Sequence, residues 1–128
     1  MAAASNFLEL KILEHTLGIT AYTQPGTVYL ALFTTDPTDA GTGTEVSGGG
    51  YVRQSISWNT PASGAVTNSA DVTFPQATGN YGTVTHIGIF DASSAGNLLY
   101  HGALSASKSV ETNDTFLVEA GDLSISLD

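Results

Sequence analysis

Residues 83–104 read TVTHIGIFDASSAGNLLYHGAL and decide the fold class. Thr83–Phe90 and Leu98–Leu104 are apolar and rich in β-branched residues, which is typical of strands. Asp91–Asn97 lies between them and has the composition of a loop. The spacing predicts an antiparallel hairpin with a connection of medium length.

Further stretches of strand character lie on both sides of this hairpin. Thr27–Thr34 is apolar on both faces, which is typical of a central strand, and Tyr51–Trp58 alternates between its two faces. Val66–Phe74, Phe116–Glu119 and Leu123–Leu127 have weaker or shorter patterns of the same kind. Short strands at this spacing predict an all-β fold, a single antiparallel β-sandwich or jelly-roll-like domain.

The residues before Gly18 predict one short N-terminal α-helix. Asn6 is expected to cap this helix, with Glu9 at the spacing of a capping box, and Gly18 to end it in a left-handed conformation. Apolar residues recur at helical intervals at Leu8, Leu10, Ile12, Leu13 and Leu17. A helix this short needs packing, either on the sheet or on a neighbouring subunit. We therefore predict a helical arm over residues 1–18 and a β-sandwich domain over residues 19–128.

Composition and charge exclude several classes of partner. The chain of 128 residues has 12 acidic and 3 basic side chains and a net charge of −9. Because phosphate binding needs clustered lysine and arginine, neither nucleic acid nor an anionic membrane surface is expected as a partner. The absence of cysteine excludes disulfides and thiolate metal sites. A secretory signal and a membrane span are not expected either, since no basic n-region or long apolar run is present.

No catalytic motif is present in the sequence. The nucleophile elbow GxSxG, the phosphate loop GxxxxGK[ST] and the zinc motif HExxH are all absent. We therefore predict that the protein is not an enzyme, and we assign no catalytic residue and no cofactor.

The glycine-rich loop Asp36–Gly50 has almost no apolar residues and is not expected to pack into a core, so it is either functional or mobile. Its acids Asp36, Asp39 and Glu45 are weak candidates for Ca²⁺ ligands, although their spacing is not that of an EF-hand and a solvated loop is the alternative. No metal is predicted on this evidence.

Four further side chains stand out along the predicted strands and turns. His86 and His101 are expected close to directly opposite each other in the hairpin, either as candidate ligands of Zn²⁺ or Fe²⁺ or as an ordinary cross-strand pair. Tyr81, in a glycine-flanked turn, is expected to be exposed, whereas Trp58 is expected in the core.

Several motifs resemble a family of small virion proteins of tailed bacteriophages. They are LALFTTDP, GGGYVRQ, HIGIFDA and GNLLYHG, together with the N-terminal NFLELKILEHTLG and the closing AGDLSISLD. The resemblance covers essentially the whole chain. It implies a non-enzymatic structural protein of the virion, made in the host bacterial cytoplasm, that contacts other virion proteins and forms a homotrimer.

The resemblance leaves two locations on the particle open. A compact domain without a fibre shaft favours a capsid decoration (cement) protein, which would bind the major capsid protein and stabilise the head exterior. The alternative is a small tail fibre, tail tip or adaptor protein involved in host attachment. In either case the helix and the glycine-rich loop are expected to contact the partner. The predicted contact residues are Leu8, Ile12, Leu13, Leu17, Asp36, Asp39, Glu45 and Tyr81.

Overall fold

The computed structural model describes residues 2–127 and contains short strands and one helix. In chain order the elements are β1 (Ala3–Ala4), α1 (Asn6–Thr16), β2 (Tyr29–Phe33), β3 (Gln54–Ser55), β4 (Ala65–Thr67), β5 (Val72–Thr73), β6 (Gly82–Phe90), β7 (Leu98–Val110), β8 (Leu117–Val118) and β9 (Ser124–Ser126). No helix within residues 2–127 has the length and apolar character needed to cross a lipid bilayer.

The strands form one large and two small antiparallel sheets. The large sheet has five strands in the order β1-β7-β6-β2-β3, and the small sheets pair β4 with β9 and β5 with β8. The predicted all-β fold, a single small domain with antiparallel sheets and one short helix, is confirmed. The jelly-roll topology stays a prediction.

The large sheet is buried on both faces at β2, as expected for a central strand. Leu30 and Leu32 belong to the main core, which lies between this sheet and the small sheets. Ala31 and Phe33 point the other way and form a second apolar cluster with Phe90 and Leu98. Residues outside the large sheet that complete the main core include Val46, Ile56, Val72, Phe74, Tyr81, Phe116, Leu123 and Ile125.

The predicted hairpin is formed by β6 and β7, but its register differs from the expected one. Gly88 pairs with His101, and His86 pairs with Ala103, so the two histidines are not directly opposite. The pairing is irregular between His86 and Val84, which pair with Ala103 and Lys108. Four residues of β7 (104–107) lie opposite one residue of β6, Thr85, so β7 bulges at this point. The bulge lets β7 continue to Val110, past the predicted end at Leu104.

Two of the predicted strands are shorter than expected. Only Gln54–Ser55 of the Tyr51–Trp58 stretch pairs as a strand, and Val66–Phe74 is divided between β4 and β5. Asn68 causes the division, because this fully buried amide bonds the backbone itself. Its Oδ1 accepts from the amides of Gly121 and Leu123 (both 3.0 Å), and its Nδ2 donates to the carbonyls of Ala70 (2.9 Å) and Glu119 (3.0 Å).

The N-terminal segment is joined to the sheet before the helix begins. β1 pairs with β7, with Ala3 opposite His101, and Ala2 lies in the main core. Ser5, not Asn6, caps α1, because the Ser5 hydroxyl accepts from the amide of Leu8. Gly18 follows the helix with φ +74°, the left-handed conformation that the sequence predicts. The boundary between residues 18 and 19 stays a prediction.

Candidate functional site: the helix and two anchored loops

The helix α1 has apolar residues on two opposite faces. Leu8 is buried and Ile12 is half-buried on the face toward the sheet. Leu10, Leu13 and Leu17 lie on the other face and are 57%, 56% and 68% exposed. Of the predicted contact residues, Leu13 and Leu17 are thus accessible to a partner, whereas Leu8 is buried within the domain and is not accessible.

The start of α1 is fixed by hydrogen bonds to two other elements. The buried Ser5 hydroxyl donates to the carbonyl of Leu98 in β7, in addition to accepting from Leu8. The amide of Asn6 donates to the carbonyl of Asp39 in the glycine-rich loop at 2.9 Å. The outward leucines are therefore presented from a helix whose orientation is set at its first turn.

The glycine-rich loop is packed, contrary to the expectation. Pro37 is fully buried and Val46 belongs to the main core. The amide of Val46 donates to the carbonyl of Leu32, and the amide of Thr34 donates to the carbonyl of Thr44, both at 2.9 Å. These bonds along β2 give the loop a fixed course despite its many glycines.

Arg53 connects this loop to the loop between β6 and β7. Its Nε and Nη2 donate to the two carboxylate oxygens of Glu45, both at 2.8 Å. Its Nη1 donates to the carbonyls of Ala92 (3.0 Å) and Ala95 (2.8 Å). The guanidinium carbon lies 3.8 Å from the ring centre of Phe90. With its side chain only 7% exposed, Arg53 holds both loops against the second apolar cluster.

The surroundings of Glu45 keep its carboxylate charged. Burial alone would raise its pKa, but hydrogen bonds from Arg53 and Tyr51 and the guanidinium charge outweigh burial, and the pKa is lowered overall. The hydroxyl of Tyr51 donates to Glu45 at 2.6 Å and accepts from the amide of Leu32 at 3.1 Å. Burial, together with the bond to Glu45, raises the pKa of Tyr51. The bond to Glu45 likewise raises the pKa of Arg53.

The structure does not bring the candidate metal ligands together around one point. His101 Nε2 lies 2.7 Å from Asp39 Oδ1, while its Nδ1 lies 3.9 Å from Asp36 Oδ1, so the two carboxylates face opposite sides of the ring. Glu45 is bound by Arg53, and His86 Nδ1 lies 2.8 Å from the hydroxyl of Thr85. Residues 2–127 contain no group of three or more His, Cys, Asp or Glu side chains placed to hold a metal ion.

Tyr81 is buried, so its predicted exposure is wrong. Its side chain is 4% exposed and belongs to the main core. The hydroxyl donates to the carbonyl of Pro75 at 3.0 Å, and the ring packs edge-on against Tyr51 with 5.7 Å between ring centres. Trp58 is half-buried and packs against the main core, in agreement with the prediction.

Two features of this region were missed from the sequence. Leu10 completes the exposed face of α1, and its spacing to Leu13 and Leu17 (i, i+3, i+7) was an available signal. Arg53 had no such signal, because the carbonyls of Ala92 and Ala95 that it binds lie 39 and 42 positions away in the sequence.

Comparison with known protein families gave one match over nearly the whole chain. A family model described as "Podophage GP4 fiber I protein gp80" matches residues 3–126. No curated protein matches the chain.

Proposed function

The chain belongs to the podophage GP4 fiber I protein gp80 family, and from this membership we propose that it serves as a small, non-enzymatic component of the tail fibre. Its place in a phage virion as a structural protein of the fibre type follows from the family itself. The finer location, at the fibre, the tail tip or an adaptor that takes part in host attachment, is the proposal.

The family match is the observation that carries this proposal over the decoration function. The sequence favoured a capsid decoration protein because the domain is compact. Compactness is common among structural proteins of a virion and does not distinguish a head protein from a tail protein. The family description names a fiber protein, which agrees with the alternative function instead.

The geometry supports a binding role for the surface made by α1 and the two anchored loops. Leu13 and Leu17 are exposed on the helix, and Asp36 and Asp39 are exposed at the start of the glycine-rich loop. Hydrogen bonds at Ser5, Asn6 and Arg53 hold these elements to the sheet, so a partner would meet a preorganised surface. We therefore propose that contacts to other virion proteins are made here.

Copy number per particle tests the location. Quantitative mass spectrometry of purified virions gives the ratio of this chain to the major capsid protein. A tail fibre component is expected at a few per cent of the capsid protein or less, because a virion has one tail and a shell of many subunits. A ratio near one, or a simple fraction of it, would contradict the fibre function and favour the decoration protein.

The homotrimer expected from the sequence resemblance also stays a proposal. Light scattering of the purified chain gives the mass directly, and a mass equal to one 13.2 kDa chain at micromolar concentration would contradict the trimer.

A further inference from the structure

We propose that the outward leucines of α1, Leu10, Leu13 and Leu17, dock into an apolar groove of a different virion protein, and that lysine or arginine residues line the rim of that groove. The inference rests on the proposed function, because it seeks the partner within the phage particle. It adds the chemistry of the partner surface, which neither the family match nor the fold provides.

The helix carries apolar residues on two opposite faces, which is typical of a helix that is covered on both sides. Successive residues of an α-helix turn by about 100°, so Leu8 and Ile12 share one face while Leu10, Leu13 and Leu17 share the opposite one. The first face is covered by the domain itself. The second face is more than half exposed at each leucine, and Ile19, just beyond the helix, is 71% exposed. Such a continuous apolar stripe on a protein surface marks an interaction site.

Acidic side chains border the stripe on both sides. In the same helical projection Glu9 lies on one side of the three leucines and Glu14 on the other. Glu9 is exposed, and the Glu14 side chain is 24% exposed. The Lys11 ammonium lies 3.2 Å from the Glu14 carboxylate, on the side away from the leucines, and His15 in the last turn also lies on that side. A partner that covers the stripe therefore meets carboxylates at both borders, and lysine or arginine at its rim complements them.

The same acidic side chains disfavour a second copy of this chain as the protein that covers the leucine stripe. With Leu10 and Leu13 as the a and d positions of a helix pair, Glu9 occupies g and Glu14 occupies e. A parallel pair of α1 helices brings Glu9 of one copy against Glu14 of the other, and an antiparallel pair brings the two Glu14 side chains together. The net charge of −9 adds to this repulsion at long range. The proposed trimer would accordingly use another surface.

A competition experiment tests whether the leucine stripe is needed for incorporation of the chain into virions. The variant Leu10→Gln/Leu13→Gln/Leu17→Gln and an epitope-tagged wild-type chain are supplied together in infected cells, and their ratio in purified virions is measured by mass spectrometry. Glutamine keeps the helix propensity, so circular dichroism and the melting temperature should stay unchanged. The variant is expected to be depleted about tenfold or more, as for the loss of an interface anchor. The matched control, Val52→Thr/Leu117→Gln, alters apolar residues that are 56% and 43% exposed elsewhere and should compete equally.

Charge neutralisation separates the two possible occupants. Glu9→Gln/Glu14→Gln should lower incorporation about two- to fivefold if the partner rim is basic, since each exposed ion pair contributes little. The same variant would strengthen association between copies if the stripe were a self-contact, which light scattering would detect.

A photo-crosslinking residue placed at Leu13 identifies the partner directly in assembled virions. We expect an adduct with a different virion protein, at a segment where apolar residues are flanked by lysine or arginine. Equal incorporation of the glutamine variant, a crosslink to a second copy, or no crosslink in particles that contain the chain overturns this inference and leaves the proposed function intact. Absence of the wild-type chain from particles overturns both.

Discussion

Arg53→Ala is the substitution that best tests how the two loops are held. It removes the bidentate pair with Glu45, two hydrogen bonds to the carbonyls of Ala92 and Ala95, and the guanidinium stacked on Phe90. The Arg53 side chain is 7% exposed, so water cannot replace these contacts without opening the loops. The loss should therefore be large for a residue that is not part of the main core.

The expected magnitude follows from the exposure of the two charges. Removing one partner of a buried ion pair costs about 3–5 kcal/mol, mainly because the other charge stays buried without a partner. Glu45 is 25% exposed at its side chain and keeps the bond from Tyr51, so the lower end of that range applies. We expect a loss of about 3 kcal/mol in the free energy of unfolding, which lowers the melting temperature of a domain this size by about 10 °C.

Urea denaturation of wild type, Arg53→Ala, Glu45→Gln and the double variant measures the coupling. The double-mutant cycle should give an interaction free energy of about 1–3 kcal/mol between the two side chains. Arg53→Lys is the matched control, because it keeps the charge but loses the planar fork and should recover only part of the stability. Hydrogen exchange should speed up at residues 92–95 in Arg53→Ala but not at the β4–β9 pair.

The pH dependence has a defined sign. The folded-state pKa of Glu45 is lowered, so the stability it contributes is present above its ordinary pKa of about 4.5 and is lost as the pH falls through the folded value. The difference between wild type and Arg53→Ala should therefore be largest near neutral pH and shrink below about pH 4. A loss under about 1 kcal/mol at pH 7, or additive effects in the cycle, would refute the reasoning.

Three further substitutions test other parts of the structure by urea denaturation. Gly88→Ala places a methyl group 2.9, 3.0 and 3.1 Å from side-chain carbons of the second apolar cluster and should cost about 1–3 kcal/mol, whereas Gly26→Ala, with nothing within 4 Å, should be neutral. Equal stability of the two variants would show that the side chains of the second apolar cluster can move to accommodate the added methyl group. Asn68→Ala removes four hydrogen bonds to the backbone and leaves the amide of the buried Leu123 without its partner, whereas the Gly121 amide and the Glu119 carbonyl keep a second backbone bond, so it should cost about 2 kcal/mol; a loss below about 1 kcal/mol would mean that water replaces the amide. Ser5→Ala removes the helix cap and should cost about 1–2 kcal/mol, and no change would argue against Ser5 as the cap.

The elements with a strong local pattern could be predicted from the sequence. β2 and the paired parts of β6 and β7 combine apolar and β-branched residues over several positions, so their strand conformation is encoded locally. The end of α1 at Gly18 is also local, because a left-handed residue after a helix favours glycine. Start positions are less well defined, since Ser5 and Asn6 are both good caps and only the bond from Leu8 distinguishes them.

The register of the hairpin could not be predicted, because it depends on an irregular pairing next to the loop, between Ile89 and Phe90. A one-to-one pairing that starts from Phe90 and Leu98 would put His86 opposite Gly102. The irregularity between Ile89 and Phe90 shifts the partners by one residue, so His86 pairs with Ala103 and His101 with Gly88. His101 then meets Asp39 from the glycine-rich loop, 62 positions away in the sequence. Contacts of this kind depend on the tertiary fold and leave no periodic signal.

The packing of the glycine-rich loop also could not be predicted from its composition. Its glycines and hydroxyl residues predict a solvated segment, and most of its side chains are in fact exposed. Pro37, Val46 and the Glu45–Arg53 pair are enough to fix its course, because a few buried contacts offset the ordering entropy when the backbone also bonds to β2. Average composition therefore predicts the exposure of most side chains correctly, but it does not predict the burial of Pro37 and Val46.

The exposed face of α1 was predicted only in part, for a geometric reason. The sequence contains two sets of apolar positions on opposite faces of the helix, Leu8 with Ile12 and Leu10 with Leu13 and Leu17, but it does not show which set faces the sheet. Leu8 belongs to the first set and Leu10 to the second, although they are only two residues apart. Because residues two apart on a helix face away from each other, the periodic pattern alone cannot assign them, but the position of the sheet can. Because α1 packs against β7 and Leu8 is buried, the remaining leucines and their acidic borders define the exposed face of the helix.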